Sequence, residues 1–242
     1  MKKIILSVLA YSLLFFGHNL HAQQTYVVGV EELDYFPLYA FGKRESFSEE
    51  LLNAFAKDAG ITFEYKPLAI NRLYHEFLED NLVDFKFPDN AFWGGDKKEG
   101  ISVIYSSPAV PFTDGVLVPK ANIGKGITSI KALGMPTGFT PKEYSDLAAA
   151  GSLKLKRHYQ MDRLAKDVLL GKTQGFYSNV VVAQHLVDTQ FDGAMGFDKS
   201  LPHTEGHYHL STIKHTDVID KFNAFLSANP DLIKALSDKY LK

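Results

Sequence analysis

Apolar positions along this chain recur in two rhythms, one that suits strands and one that suits helices. Thr25-Tyr26-Val27-Val28-Gly29-Val30 is a β-branched run that predicts a buried strand. Ser46 followed by Glu49 is a capping-box pattern, after which Leu51, Leu52, Phe55, Ala56 and Ala59 recur at helical spacing as far as Gly60. Residues 61–66 alternate as a strand, 71–80 carry Leu73, Phe77 and Leu78 on one helical face, and 82–87 return as strand. Further strands are expected at 101–105 and 115–119. The second half repeats the theme: a short strand ending at Gly138-Phe139-Thr140, then helix 141–150, strand 153–159, helix 162–170 stopped by Gly171, strand 173–177, helix 180–187 and strand 207–213. Val218, Ile219, Phe222, Phe225 and Leu226 share a face, and Asn229-Pro230 opens a last helix.

Strand and helix alternating at such short spacing implies an α/β fold with parallel sheets and right-handed crossovers. Two of the expected strands finish on polar clusters, Phe85-Lys86-Phe87-Pro88-Asp89-Asn90 and Phe176-Tyr177-Ser178-Asn179. The ends of parallel strands open onto the ligand crevice, so two such ends in separate halves predict two lobes facing one pocket. That points to binding before catalysis.

Composition sets the compartment. Lys2 and Lys3 precede an apolar run from Ile4 to Phe16, thirteen residues long, followed by Gly17 to Ala22. This is expected to be a secretory signal peptide over residues 1–22, because a spanning helix needs roughly 20 apolar residues. No stable membrane insertion is expected once it is removed. The leader takes two lysines with it and moves the formal charge from −2 to −4, which argues against nucleic acid as a partner. There is no cysteine, hence no disulfide, no thiolate metal site, no Cys nucleophile and no lipid anchor on a cysteine. An exported, unanchored binding protein is retained only by an outer membrane, so the expected location is the periplasm and the expected state a monomer.

The order of segments carries a resemblance. The opening strand with its aromatic-proline loop, Ser48 to Gly60, Leu82-Val83-Asp84-Phe85, and Ser106-Ser107-Pro108 with Asp114-Gly115-Val116-Leu117-Val118 come in sequence. Ile127-Thr128-Ser129-Ile130-Lys131-Ala132-Leu133 and Leu169-Leu170-Gly171 follow. Together they resemble the extracellular solute-binding proteins of family 3, the receptors that deliver polar amino acids to ABC importers. The resemblance implies a two-lobed, type II periplasmic-binding-protein-like fold of two open sheets joined by two hinge strands. Lobe 1 would span 23–117, lobe 2 118–209, and 210–242 would return to lobe 1, with hinges near 118–120 and 210–214. It also implies a small-molecule ligand and a membrane partner, either an ABC permease or a sensor. Two departures weaken an ordinary amino acid as ligand. Residues 94–99 hold no arginine where the family grips the ligand carboxylate, and Asn179 stands where an aspartate would meet the ligand amine.

Candidate ligand contacts are therefore drawn from elsewhere. Arg72 opens a helix at its positive dipole end, where an anionic partner would be welcome, and Glu76 or Glu79 could equally supply one. Lys86, Asp89 and Asn90 offer a cation, an anion and an amide, although Pro-Asp-Asn is also plain turn chemistry. Tyr35, Phe36, Tyr39 and Trp93 could form flat walls. Thr140 and Tyr144 begin a second-lobe helix, Ser107 and Thr113 line the first-lobe edge, and Tyr177 with Asn179 would close from the far side. His203, Glu205, His207, His209 and His215 crowd one stretch without any established zinc spacing, so no metal and no cofactor is expected. Motifs for hydrolase, metalloprotease or nucleotide chemistry are missing. The expected function is ligand capture without catalysis. The alternatives are an orphan receptor for a membrane sensor and a small cleft enzyme of the dehydratase type, a few family relatives having become dehydratases.

Overall fold

The computed structural model describes residues 23–241; the expected signal peptide lies outside the described residues. The first strand, β1 (Thr25–Glu31), pairs in parallel with β2 (Thr62–Leu68) and with β3 (Phe85–Asp89). Helix α1 (Phe47–Asp58) connects β1 to β2, and α2 (Ile70–Leu78) connects β2 to β3. α2 lies so close to β1 that a Cβ at Gly29 would come within 2.4 Å of Leu73 Cδ1. That close approach requires the glycine. A short strand β4 (Ile104–Tyr105) and the long β5 (Val110–Pro119) complete the first half.

The second half places β6 (Ala132–Pro136) parallel to β7 (Lys154–His158) and β8 (Gly175–Asn179). Helices α3 (Ser145–Ala149), α4 (Met161–Leu169) and α5 (Val180–Gln190) are threaded between and after them, and β9 (Met195–Phe197) edges β5. β10 (Thr204–Thr212) leads back to α6 (Thr216–Ala228) and α7 (Pro230–Tyr240).

The strands run in the order β2-β1-β3-β10-β5-β8-β6-β7. Every pairing in the outer thirds is parallel, while β10 and β5 run antiparallel to their neighbours at the centre. The sheet thus divides into two parallel halves stitched by two strands. β5 and β10 pair along Val110–Asp114 and Thr204–Tyr208, ahead of the expected hinges near 118 and 210. Apolar side chains segregate accordingly. One cluster gathers Val28, Phe55, Phe85 and Phe222 beneath the first half, and others gather Val116, Leu133 and Tyr144, or Leu164, Phe176 and Val187, beneath the second. β3 and β8 are buried at every position, as central parallel strands covered on both faces are.

Local expectations hold with instructive exceptions. Ser46 sits at the start of α1 with extended backbone, yet its hydroxyl accepts from the Ala40 N–H instead of capping the helix. β3 runs through Pro88 to Asp89, where sequence chemistry predicts a turn. β4 has two residues of the five expected. β9 is too short to leave a period in the sequence.

Candidate ligand-binding cleft

The parallel strands of both halves end toward one another, and the space between them is a cleft of about 660 Å³, part of it open to solvent. β1 ends on Glu31, and the loop beyond it folds back so that Tyr35 bridges to Tyr39. The Tyr39 hydroxyl donates to Glu31 Oε2 at 2.5 Å. On β10, Tyr208 stacks on Phe112 of β5 with ring centres 4.9 Å apart, and Trp93 leans edge-on against Tyr208 at 5.6 Å. Tyr39, Tyr74, Trp93, Phe139, Tyr177 and Tyr208 together line the cleft with aromatic surface. Burial holds the phenols of Tyr39 and Tyr208 well above their usual range, so both remain neutral hydrogen-bonding groups.

Two acids lie at the base. Glu31 is buried, and loss of hydration raises its pKa despite Lys86 nearby and the Tyr39 hydrogen bond. Asp114, in the middle of β5, is 6 % exposed. Burial pushes its carboxyl up to about 7, with Glu143 and Glu31 adding repulsion and the Asn179 amide offsetting part of it. Asp114 and Asn179 face each other in the β5–β8 register. The amide lies near enough to bias the carboxyl but outside hydrogen-bonding geometry, so Asp114 Oδ1 and Asn179 Nδ2 are both buried without a partner among the described residues. Glu143 accepts from Thr204 Oγ1 and, at 3.4 Å, from the Tyr177 hydroxyl.

The two halves are closed on each other. The Tyr35 hydroxyl, fully buried, lies 2.7 Å from Ser178 Oγ and accepts from the Asn179 N–H at 2.9 Å. Phe36 meets the His185 ring at 4.9 Å, and Lys142 Nζ lies over the Phe92 ring at 4.9 Å. Gly138, at φ +94°, packs against Ile70 at the start of α2.

Of the residues singled out in the sequence, Tyr39, Trp93, Thr140 and Tyr177 line the cleft. Tyr35 and Asn179 form the latch beside it, and the Asn179 side chain also caps α5 by accepting from Val181 and Val182. The rest have other work. Arg72 is 67 % exposed and pairs with Glu76 at 2.7 Å, the outcome expected of a helix-surface ion pair. Lys86 is fully buried, donates to the Pro88 carbonyl at 2.6 Å and pairs with Asp89, which also receives Lys98 at 2.8 Å and Ser211 at 2.6 Å. Asn90 holds the His207 carbonyl and the Phe92 N–H. Ser107 is exposed with its N–H donated to Asn223, and Thr113 pairs with Glu205 across the central strands. Tyr144 belongs to the second-half core, its hydroxyl donating to the Pro202 carbonyl. Phe36 lines a second, shallower opening together with Arg44 and His185. Among the described residues no cluster of histidines and acids has the makings of a metal site.

The lining residues that the sequence candidates leave out include Glu31, Tyr74, Asp96, Lys97, Asp114, Phe139 and Tyr208. An acid set just before the apolar run Val116-Leu117-Val118 was the available signal for Asp114.

No protein-family model matches the chain, and no curated protein matches it in sequence. Solved structures do match it in shape. The GluR0 ligand-binding core in complex with L-glutamate superposes with a TM-score of 0.75 at 10 % identity, over 91 % of this chain and 100 % of that one. An ancestral arginine-binding protein bound to arginine gives 0.71 at 18 %, over 92 % and 100 %. AncCDT-1, an ancestral amino-acid-binding protein and precursor of cyclohexadienyl dehydratase, gives 0.69 at 19 %, over 90 % and 95 %. The fold is therefore the two-lobed, type II periplasmic-binding-protein-like fold expected from the resemblance.

Proposed function

We propose that this type II, two-lobed chain is a solute-binding protein that closes on a small polar metabolite and presents it to an ABC permease. The observation that carries this reading is the latch across one shared cleft. Tyr35 from the first lobe bonds Ser178 and Asn179 of the second, beside an aromatic pocket to which both lobes contribute. A ligand seated there gains contacts from both lobes only when they are together, so binding favours the closed form. We take the hinge to be the paired segments of β5 and β10. Export through the 1–22 leader and residence in the periplasm as a monomer complete the reading. The solved structures of similar shape include proteins described as binding arginine or L-glutamate, which supports a metabolite of that size.

The test is a thermal-shift screen against amino acids, amines, organic acids, peptides and sugars, followed by small-angle scattering on any hit. A ligand at 100 times its Kd stabilises the folded protein by about 2.7 kcal/mol, and the scattering radius should shrink on binding. Absence of a shift with every class would remove the reading.

One observation favours a second reading, a dehydratase-like cleft enzyme. Asp114, with a carboxyl pushed up to about 7, is placed to serve as a general acid, and one structure of similar shape is described as a dehydratase precursor. Recovery of the bound compound unchanged after prolonged incubation, followed by NMR, separates binding from turnover.

A further inference from the structure

The charge distribution in the cleft narrows the class of ligand. Among the described residues, Glu31, Asp96 and Asp114 face into it against a single ammonium, Lys97. Lys97 stands at the exposed rim, whereas Glu31 and Asp114 lie buried at the base. The buried ammonium groups nearest the base, Lys86 and Lys98, both converge on Asp89; Lys86 also acts on Glu31, and neither is among the groups that act on Asp114. Asp114 keeps a buried oxygen with no hydrogen-bond partner among the described residues. An ionised carboxylate left in that state is costly, and the cost is removed by a cation that enters from solvent. The walls suit such a cation, since the faces of tyrosine and tryptophan rings carry partial negative charge.

We propose that the ligand is a small organic cation, an amine or alkylammonium, whose charged nitrogen sits against Asp114 and Glu31 between the rings of Tyr39, Tyr177 and Tyr208. This rests on the solute-binding reading of the cleft and specifies what it captures. Among the described residues no arginine lines the cleft, so an anion would meet carboxylates at the base with no fork to receive it. A neutral sugar would leave the Asp114 charge uncompensated. A molecule with charges of both signs would enter nitrogen first, with its carboxylate left near Lys97 and Thr140 at the rim.

Binding of a cation is then coupled to proton release. The groups that act on the Asp114 carboxyl are Glu31 from β1, Glu143 from the turn before α3, Tyr35 from the loop after β1, Tyr177 from β8 and Tyr208 from β10. Burial keeps the three phenols protonated through the neutral range, so the proton released comes from the carboxyls. Affinity for the cation rises as the pH is taken from 6 to 8.

The test is isothermal titration of the purified protein at pH 6 and pH 8 with choline, putrescine and L-arginine, and with succinate, glutarate and glucose as controls. At least one of the three cations is expected to bind, more tightly at pH 8, while the controls do not. Asp114→Asn preserves shape and removes the charge, so it should weaken that cation at least about tenfold without lowering the melting temperature of the empty protein. Binding of a control compound that Asp114→Asn leaves unchanged would overturn the cation assignment and spare the solute-binding reading. So would a cation whose affinity ignores both the substitution and the pH. Failure of all six compounds alongside a hit of another class in the broad screen would likewise overturn the assignment alone. Failure there too would remove both.

Discussion

Individual side chains divide here by what burial does to their charge. Asp114 titrates from an ordinary value of 3.8 to about 7 in the folded chain, chiefly through loss of hydration. Between those values the unfolded chain has released the proton and the folded chain still holds it. The empty protein therefore loses about 1.4 kcal/mol of stability per pH unit from this group as pH rises through that window. The penalty is complete above pH 7 and gone below about pH 4. Asp114→Asn should accordingly melt higher than the parent at pH 8 and close to it at pH 4.5, which calorimetry without ligand would check; equal differences at both pH values would contradict the assignment. Lys86 behaves oppositely, because its charge is answered by Asp89, itself shared with Lys98. Lys86→Ala should cost about 2–5 kcal/mol, because it empties the space of a fully buried side chain and removes the donor to the Pro88 carbonyl, whereas Arg72→Ala, which removes a largely exposed side chain and leaves buried Glu76 paired with Lys66 at 2.6 Å, should cost under about 1 kcal/mol. Urea unfolding of the two variants checks the contrast. The sequence offered Lys86 and Asp89 as separate ligand contacts, a cation and an anion, and gave no sign that they pair with each other, because the third member of the cluster, Lys98, comes nine residues after Asp89 in no recognisable spacing. Asp114 went unnoticed for a related reason: an acid within a strand ordinarily faces water, and only the passage of β5 between the two halves turns it into the cleft.

Elements were far more legible than sites. Helical periodicity located α1, α2, α4, α5 and α6 because each has a broad apolar face that must be buried, and that face leaves a signal over many residues. Signals resting on one residue fared worse. The Ser46 hydroxyl found the Ala40 N–H before the helix, and β3 absorbed Pro88 where β10 shifts register opposite it, between His209 and Ser211. Segment ends also carry the closing contact. Gly138 follows β6 at φ +94°, and a Cβ there would stand 2.9 Å from the Cβ of Ile70 on the other lobe. Gly138→Ala should cost about 1 kcal/mol in backbone strain and, beyond that, hold the lobes apart. Ligand added to this variant should leave the scattering radius near its empty value; full compaction would show that the contact does not gate closure.

At the scale of the whole molecule, function depends on the balance between open and closed forms. Tyr35 serves the closed form through two hydrogen bonds across the lobes. Tyr35→Phe removes both and leaves a buried N–H unanswered, a loss of about 1–3 kcal/mol, so affinity should fall about tenfold or more while the stability of the separated lobes is little changed. Titration calorimetry alongside melting curves measures the two effects separately. None of this coupling was readable along the chain, because residue 35 meets residues 178 and 179 only after both lobes have folded and turned toward each other.

The helices that seal the first lobe come last. Phe222 and Phe225 of α6 pack against Phe55 of α1, and Tyr240 of α7 reaches Glu50. The central strands that bound the second lobe, β5 and β10, enclose one uninterrupted stretch of chain. Because α6 and α7 follow the second lobe in the chain, that lobe can form once β10 is in place while the first still waits with an uncovered apolar face, in need of protection until those two helices arrive.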